Sequence, residues 1–517
     1  MCATHTVTNA MSTETQRATE RKDEMKQRHK ETAADVVPSN LKLYIGGKWV
    51  DSASGDTFET RDPATGEALA ELQAGNSDDI DKAVEAAWEA YDKTWSEYSA
   101  ADRQRVLENI ADRVEENAEE FALLETLDNG KPISEARVDM KLVADHFRYF
   151  AGAARVNGGE TMPSGDGQHV QTIREPYGVV GQIIPWNFPL LMAAWKLGPA
   201  LSAGNCSVLK PAEETPLTVL KLMDEVDDIL PDGVVNVVTG FGQEAGEPLS
   251  KHPDIRKIAF TGSTEIGKQI MGNAAENVHD LTLELGGKSP LVIYPDADLE
   301  KAVNVTITAI FYNTGECCSA GSRLFIHSDI KDEFLEELAS AAEDLVVDDP
   351  LLEETTLGPK VTEEQAERTL EYIQEARDAG ADFITGGDRP DDEALEEGSF
   401  VSPTLIDNID HDNRAVQEEI FGPVQEVFEW TDYEKMIELA NDVDYGLAAG
   451  ILTTDLDSAY RTANDIEAGT VWVNQYNAFP AGQPFGGYKE SGIGREIGFE
   501  AVTEHYTQTK TINIAIE

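Results

Sequence analysis

The sequence predicts an α/β protein made of two doubly wound open sheets and a small separate β element, and three observations predict it. Apolar runs of strand length alternate with helical stretches from about residue 179 to 285. A second such alternation runs from about 287 to 480. Strands separated by helices of this length pair in parallel and carry helices on both faces. At 517 residues the chain is also too long for one ordinary core and should divide into domains.

Residues 1–40 are polar, charged and free of aromatics, and read as a disordered or weakly helical extension. Residues 41–155 and 178–286 form the first predicted domain. Within it VVGQII (179–184), SVLK (207–210), VVNVV (234–238), KIAFT (257–261) and LTLEL (281–285) are strands, and 189–203, 215–230 and 265–275 are helices. Ligands on such sheets collect at the carboxyl ends of the strands. That gathers residues 185–187, Lys210, residues 239–242, Gly262 and Ser263 around one crevice. Residues 287–490 form the second predicted domain, with strands at 289–294 and 323–327 and helices at 299–312 and 331–347. In the last helix Phe334, Leu335, Leu338, Ala342, Leu345 and Val346 fall on one stripe. The segments 156–177 and 500–517 contain alternating stretches at 168–176 and 507–516 that read as exposed strands outside either sheet. Such strands pair between subunits, so a homo-oligomer (dimer or tetramer) is expected.

The charge balance narrows the partners. Ninety-seven acidic against 41 basic residues leave a net charge of −56, which repels nucleic acid and anionic membranes. The acids are dispersed over helix faces, as at 224–228 and 363–382, which points to a solubility adaptation for molar salt. There the Debye length falls to about 3 Å and self-repulsion is screened. No eighteen-residue apolar run and no apolar signal core are present, so a cytoplasmic protein is expected. The four cysteines, Cys2, Cys206, Cys317 and Cys318, make neither a disulfide framework nor a metal spacing. One reactive thiol in a reduced compartment fits them, with no metal.

The reactive candidate is Cys318, in FYNTGECCSAGSR (311–323), a turn between a helix and a strand. Backbone N–H groups beside such a turn can lower a thiol's pKa; equally, both cysteines of the pair can be small buried spectators. Glu284 ends an apolar strand ahead of Gly286 and Gly287, an expensive place for an unpaired charge unless it serves as a general base. Asn187, between two prolines in IIPWNFPL, has an amide that can donate to an oxyanion, although asparagine is common in turns. Lys210 and Glu213 follow a strand and suit ribose hydroxyls, or form a plain surface ion pair. A carboxylate there also repels a 2′-phosphate, favouring NAD over NADP. Two glycine motifs compete for the phosphates. GFGQEA (240–245) matches a dinucleotide fingerprint but lacks its downstream acid, whereas FTGSTEIG (260–267) opens a helix at Gly262 and Ser263.

Together PWNFPL, VLKPAEETP, FTGSTEIGK, LELGGKSP, GECCSAGSR, EEIFGPV and PFGGYKESGIGRE, in that order, resemble the NAD(P)-dependent aldehyde dehydrogenase superfamily. The resemblance covers roughly residues 42–517. It implies a Rossmann-like cofactor domain plus a catalytic domain, and oxidation of a small-molecule aldehyde to its acid. By the same resemblance Cys318 is the nucleophile, Glu284 the general base and Asn187 the oxyanion donor. Pro185, Trp186, Lys210, Glu213, Gly262, Ser263, Gly267, Glu419 and Phe421 fall at cofactor positions, with NAD the expected cofactor and NADP an option. Glu496 and Lys196 match positions that pass protons outward, and Phe188, Met192, Trp195, Cys317 and Ser319 match the pocket wall. Glu316 stands where the family commonly has Gln, which leaves substrate specificity open. A CoA-acylating dehydrogenase of the same fold, a cysteine esterase and a catalytically dead relative are the rivals; Glu284, the cofactor segments and the intact nucleophile and base argue against them in turn.

Overall fold

The computed structural model describes the backbone of residues 3–516 and the side chains of residues 16–516. Its first sheet has a parallel centre in the order Val235–Val237, Cys206–Lys210, Val179–Ile183, Lys257–Thr261, Asp280–Glu284. The first four of these strands are buried along their whole length, which is why they read as continuous apolar runs rather than alternating ones. Short antiparallel strands close the edges, Leu43–Ile45 with Lys48–Val50 on one side and Gly492–Ile493 on the other. The strand Val179–Ile183 is the first of the central run in sequence, yet later strands flank it on both sides. The winding therefore reverses there and leaves a crevice beyond its carboxyl end.

The helices between these strands follow local chemistry. Pro189–Ala203 starts on a proline, where the missing N–H costs nothing, and stops at Gly204 with φ 99°. The helix predicted at 215–230 shortens to Leu217–Val226. Thr264–Asn277 is capped by Ser263, whose hydroxyl accepts from the Ile266 N–H. The fingerprint at 240–245 instead forms a wide turn, Gly242–Gly246, that runs into the helix Glu247–Lys251.

The second sheet runs Asp382–Thr385, Thr404–Asp407, Val424–Trp430, Arg323–His327, Pro290–Ile293, Ala448–Leu452, Thr470–Val473. All its pairings are parallel except the first. The amphipathic helix predicted to 347 ends at Glu343, and Val346 is exposed rather than on the buried stripe. Its carbonyl instead accepts from the N–H groups of Thr356 and Leu357. A third sheet pairs Thr161–Met162 with Gln168–Pro176, and that strand with Thr507–Ala515, outside both large sheets. Residues 485–496 leave the second sheet and return to the first, where Gly492 lies beside Glu284.

The extension departs most from its sequence reading. Ala3–Val36 is a single helix, and its described side chains hold it to the body. Met25 and Val36 are buried, Arg21 pairs with Asp348 and Asp392, and Lys22 and Lys26 pair with Glu397. His29 is buried between Asp62 (2.6 Å) and Asp349 (2.8 Å). Burial alone would lower its pKa, but hydrogen bonds to Asp349 and Asp62 outweigh it and raise the imidazolium to about 9. The polar composition that suggested disorder is a basic strip matched to an acidic body. Because the folded pKa lies above the ordinary 6.5, this contribution is complete below about pH 6.5 and lost as pH rises through about 9. His29→Ala is expected to loosen the docked helix by about 3 kcal/mol, since it removes the buried cation that bridges two carboxylates. Amide exchange over residues 17–36 checks this; protection unchanged at pH 6 would contradict it.

Candidate active site

The crevice deepens into a cleft of about 1120 Å³, open mouth included, between the two large sheets. Pro185, Trp186, Asn187, Gly262, Ser263, Glu284, Cys318, Glu419 and Phe421 all line it. These residues are more than 200 positions apart at the extremes; the first sheet's crevice supplies Pro185 to Glu284, and segments leading into strands of the second sheet supply Cys318, Glu419 and Phe421.

Cys318 owes its position to an unusual turn. Asn313, Thr314 and Gly315 are all left-handed, with φ of 51°, 56° and 73°. For asparagine and threonine that conformation costs of order 1 kcal/mol each. The neighbours enforce it. Glu135 accepts from the Asn313 N–H at 2.8 Å, and a Cβ on Gly315 would lie 2.2 Å from the Gly422 carbonyl. The turn leaves Cys318 partly exposed in the cleft and Cys317 buried, its sulfur 3.2 Å from the Ser319 hydroxyl. The expectation that backbone N–H groups lower the Cys318 pKa is not met. Its hydrogen bond with Cys317, burial, and the carboxylates of Glu419 and Glu284 hold the thiol above its usual value.

Asn187 is fixed on both sides. Its main-chain carbonyl accepts from Lys131 Nζ (3.0 Å) and Asn313 Nδ2 (2.9 Å), and its own amide donates to the Glu316 carbonyl at 2.9 Å. One N–H of that amide is thereby committed, and the second remains for a ligand oxygen. Lys131 is buried with Asp139 (2.7 Å) and Glu125 (3.5 Å) and lies 4.2 Å from the Phe188 ring centre.

Glu284 is buried and neither carboxylate oxygen has a hydrogen-bond partner. Burial raises its pKa well above the usual range, Glu496 adds to the rise, and Lys196 and Arg495 oppose it. A Cβ at Gly486 would come within 2.7 Å of Glu284 Oε1, so glycine there keeps the carboxylate's space open. Glu496 and Lys196 form a buried ion pair behind it, and Lys196 also donates to the Thr261 hydroxyl at 2.6 Å.

Across the cleft Glu419 accepts from the Gly287 N–H at 2.9 Å; burial raises its carboxyl to about 7. Phe421 is left-handed at φ 60° and meets the Trp186 ring edge-on at 5.2 Å. Ser263 is exposed at the open start of Thr264–Asn277, where free N–H groups and the dipole favour a pyrophosphate. Lys210 and Glu213 lie outside this cleft and pair with each other at 2.8 Å; Glu213 borders the adjoining cavity with Phe241. Gly267 does not reach the cleft. A Cβ there would strike Leu285 at 2.5 Å, so glycine at this position lets the helix pack closely on Leu285. Ser319 likewise leaves the pocket wall and donates to Asn477 at 3.0 Å. Phe188, Met192, Trp195 and Cys317 do line the cleft.

Residues 49–512 match the description "Aldehyde dehydrogenase family". The chain belongs to the aldehyde dehydrogenase family. It is 47% identical over 487 residues to aldehyde dehydrogenase family 2 member B4, mitochondrial, of Arabidopsis thaliana, covering 93% of this chain and 89% of that one. A structure of an aldehyde dehydrogenase from Bacillus cereus in complex with NAD+ superposes with a TM-score of 0.91 at 44% identity, over 94% and 98% of the two chains. A betaine aldehyde dehydrogenase from Staphylococcus aureus, also in complex with NAD+, gives 0.92 at 38%, over 94% and 97%. This enzyme oxidises aldehydes to carboxylic acids. Among the described residues no helix is long and apolar enough to cross a membrane.

Several site residues of this aldehyde dehydrogenase carry no isolated sequence signal. Gln365 and Arg368 line the cleft from the helix Glu363–Asp378, which reads as a surface acidic helix. Phe479 and Phe485 meet Trp195 at 6.0 and 5.6 Å and complete an aromatic wall. Only the return of the late loop to the first sheet brings them there.

Proposed function

We propose that the oxidation runs through a covalent thioester on Cys318. The observation that carries this is a partly exposed thiol, a half-free amide and an unpartnered buried carboxylate in one cleft. The Cys318 thiolate adds to the aldehyde carbon, and the resulting alkoxide is held by the free N–H of Asn187 and the backbone N–H of Cys318. Collapse of the alkoxide expels a hydride from that carbon, and Cys318 is left as a thioester. Glu284 then takes a proton from water as its oxygen attacks the thioester carbon, and collapse of that adduct breaks the C–S bond to release the carboxylic acid and the Cys318 thiolate. The proton leaves Glu284 toward Glu496 and Lys196.

NAD, when bound, supplies the nicotinamide that accepts the hydride. The residues present fit it. Ser263 offers an open helix start, Glu419 and Phe421 border the cleft for the nicotinamide ribose, and Lys210 with Glu213 suits the adenosine ribose. Glu213 disfavours a 2′-phosphate. Assays with both cofactors test this, with NAD expected to give at least a tenfold higher kcat/KM; equal use of NADP would remove the role of Glu213. The aromatic wall suits an aldehyde with an apolar or aromatic tail, or a quaternary ammonium over Trp195. An aldehyde panel separates these.

We also read the enzyme as cytoplasmic, salt-adapted and homo-oligomeric. The three described cysteines are free. The strand Thr507–Ala515 leaves one edge unpaired and is mostly exposed, as a strand that joins a second copy would be. The charge of −56 predicts a melting temperature that rises by roughly 10 °C or more between 0.1 and 2 M KCl, because salt screens self-repulsion. A flat salt dependence would count against the adaptation.

A further inference from the structure

The carboxylate of Glu316, next to the nucleophile pair, is neither in the cleft nor spent on solubility. It is buried against Lys360 Nζ at 2.7 Å and accepts from the Val361 N–H at 3.2 Å. Lys360 in turn donates to the main-chain carbonyl of Phe421. Both side chains of the pair are at most 1% exposed. Glu316 is also the residue whose carbonyl accepts the Asn187 amide (2.9 Å) and the Asn313 amide (3.1 Å). Glu316 therefore touches the oxyanion donor through its backbone, and its side chain reaches the Phe421 segment by way of Lys360.

The surroundings leave this connection little slack. A Cβ on Gly315 would lie 2.2 Å from the Gly422 carbonyl, and one on Gly422 would lie 3.4 Å from Lys360 Nζ. The nucleophile turn and the 419–422 segment thus pack backbone on backbone, and the ion pair bridges them. Phe421 is held left-handed at φ 60°, a conformation that needs outside support in a bulky residue. Burial pushes the Glu316 carboxyl up and the Lys360 ammonium down, while each partner opposes the other's loss of charge. Removing either partner therefore strands a buried group and releases the bridge.

We propose that the buried Glu316–Lys360 pair is a positioning tie that couples the cofactor-facing segment Glu419 to Phe421 to the Asn187–Cys318 oxyanion site, so that seating the cofactor sets the geometry of attack. It rests on the reading of Glu419 and Phe421 as the cofactor's ribose arm. The pair touches neither substrate nor reacting atoms; it acts through the Phe421 carbonyl at one end and the Glu316 carbonyl at the other.

The test uses the full-length enzyme and reads NAD affinity by fluorescence titration together with the pre-steady-state NADH burst at saturating aldehyde. Lys360→Gln and Glu316→Gln are each expected to weaken NAD binding about tenfold and slow the burst about 100-fold, the scale on which small misplacements act. The Glu316→Gln/Lys360→Gln double variant is expected to recover both to within about threefold of the parent, because two amides can keep the contacts to Val361 and Phe421 without a stranded charge. A merely structural pair would instead lower Tm in the singles and leave affinity and burst rate at parental values, and that result overturns the tie. So does a double variant no better than the worse single. Lys360→Arg, which keeps the charge and folds most readily, should retain NAD affinity but slow the burst; a parental burst rate in it would contradict the proposal. Glu419→Gln in the same assay reports on the ribose-arm reading alone. Unchanged NAD affinity there sinks that reading, whereas an impaired Glu419→Gln beside parental Lys360→Gln sinks only the tie.

Discussion

Cys318→Ala is expected to lower aldehyde oxidation by about 10⁴-fold or more, with NAD affinity kept within about threefold of the parent. The reason is chemical rather than architectural. Cys318 is the partly exposed sulfur of the pair, and its removal deletes the atom that holds the substrate through both halves of the reaction. Losing one sulfur at the cleft wall leaves the packing of the cofactor segments untouched. Cys317→Ala provides the contrast. Cys317 is buried in the cleft wall, and its sulfur contacts the Ser319 hydroxyl. Its loss is expected to cost stability by about 1–2 kcal/mol and activity by less than about tenfold. Single-turnover NADH formation and calorimetric NAD titration measure both variants. Equal loss of turnover in the two would reverse the assignment of the nucleophile.

Glu284→Gln is expected to reduce the steady-state rate by about 10³-fold while keeping most of the first burst of NADH. An amide cannot take a proton from water, so hydrolysis fails after the hydride has left. Intact-protein mass spectrometry should then find an acyl group accumulating on Cys318. Substitution costs little in folding, because neither oxygen of Glu284 has a partner to lose. The carboxyl also sets the pH profile. Burial and Glu496 raise its pKa, so the base form is lost as pH falls at a point well above the usual 4.5. Steady-state turnover should fall on the acid side through that raised value, and the Cys318 thiol, also held up, steepens the fall. Gln at 284 removes the carboxyl's share of this limb. A parental steady-state rate in that variant would end the general-base role.

How much of this was legible in the sequence varies with the range of the forces involved. The strands Lys257–Thr261 and Arg323–His327 and the helix Pro189–Ala203 begin and end where the residue pattern places them. Their limits come from local causes: apolar runs buried on both faces, a proline at a helix start, a glycine at its end. Where a limit depends on a distant partner, the pattern overshoots. Val346 continues the apolar stripe in sequence but leaves the helix to pair with the segment at Thr356. The extension, expected to be disordered or weakly helical, shows the same limit in its docking to the body. Its basic side chains carry no visible partners until Asp62, Asp348, Asp349 and Glu397 are folded against them.

The site divides along the same line. Residue chemistry alone leaves Cys318, Glu284 and Asn187 as candidates beside plainer readings, and the family resemblance of the ordered motifs is what singles them out. The alternation of strands and helices also determines that a crevice exists. Only the tertiary structure decides which cysteine is exposed, that Glu284 has no partner, that Gly267 packs against Leu285, and that Glu316 meets Lys360. Each of those depends on contacts between segments distant in sequence, and burial and electrostatic partners exist only once the chain has brought such segments together.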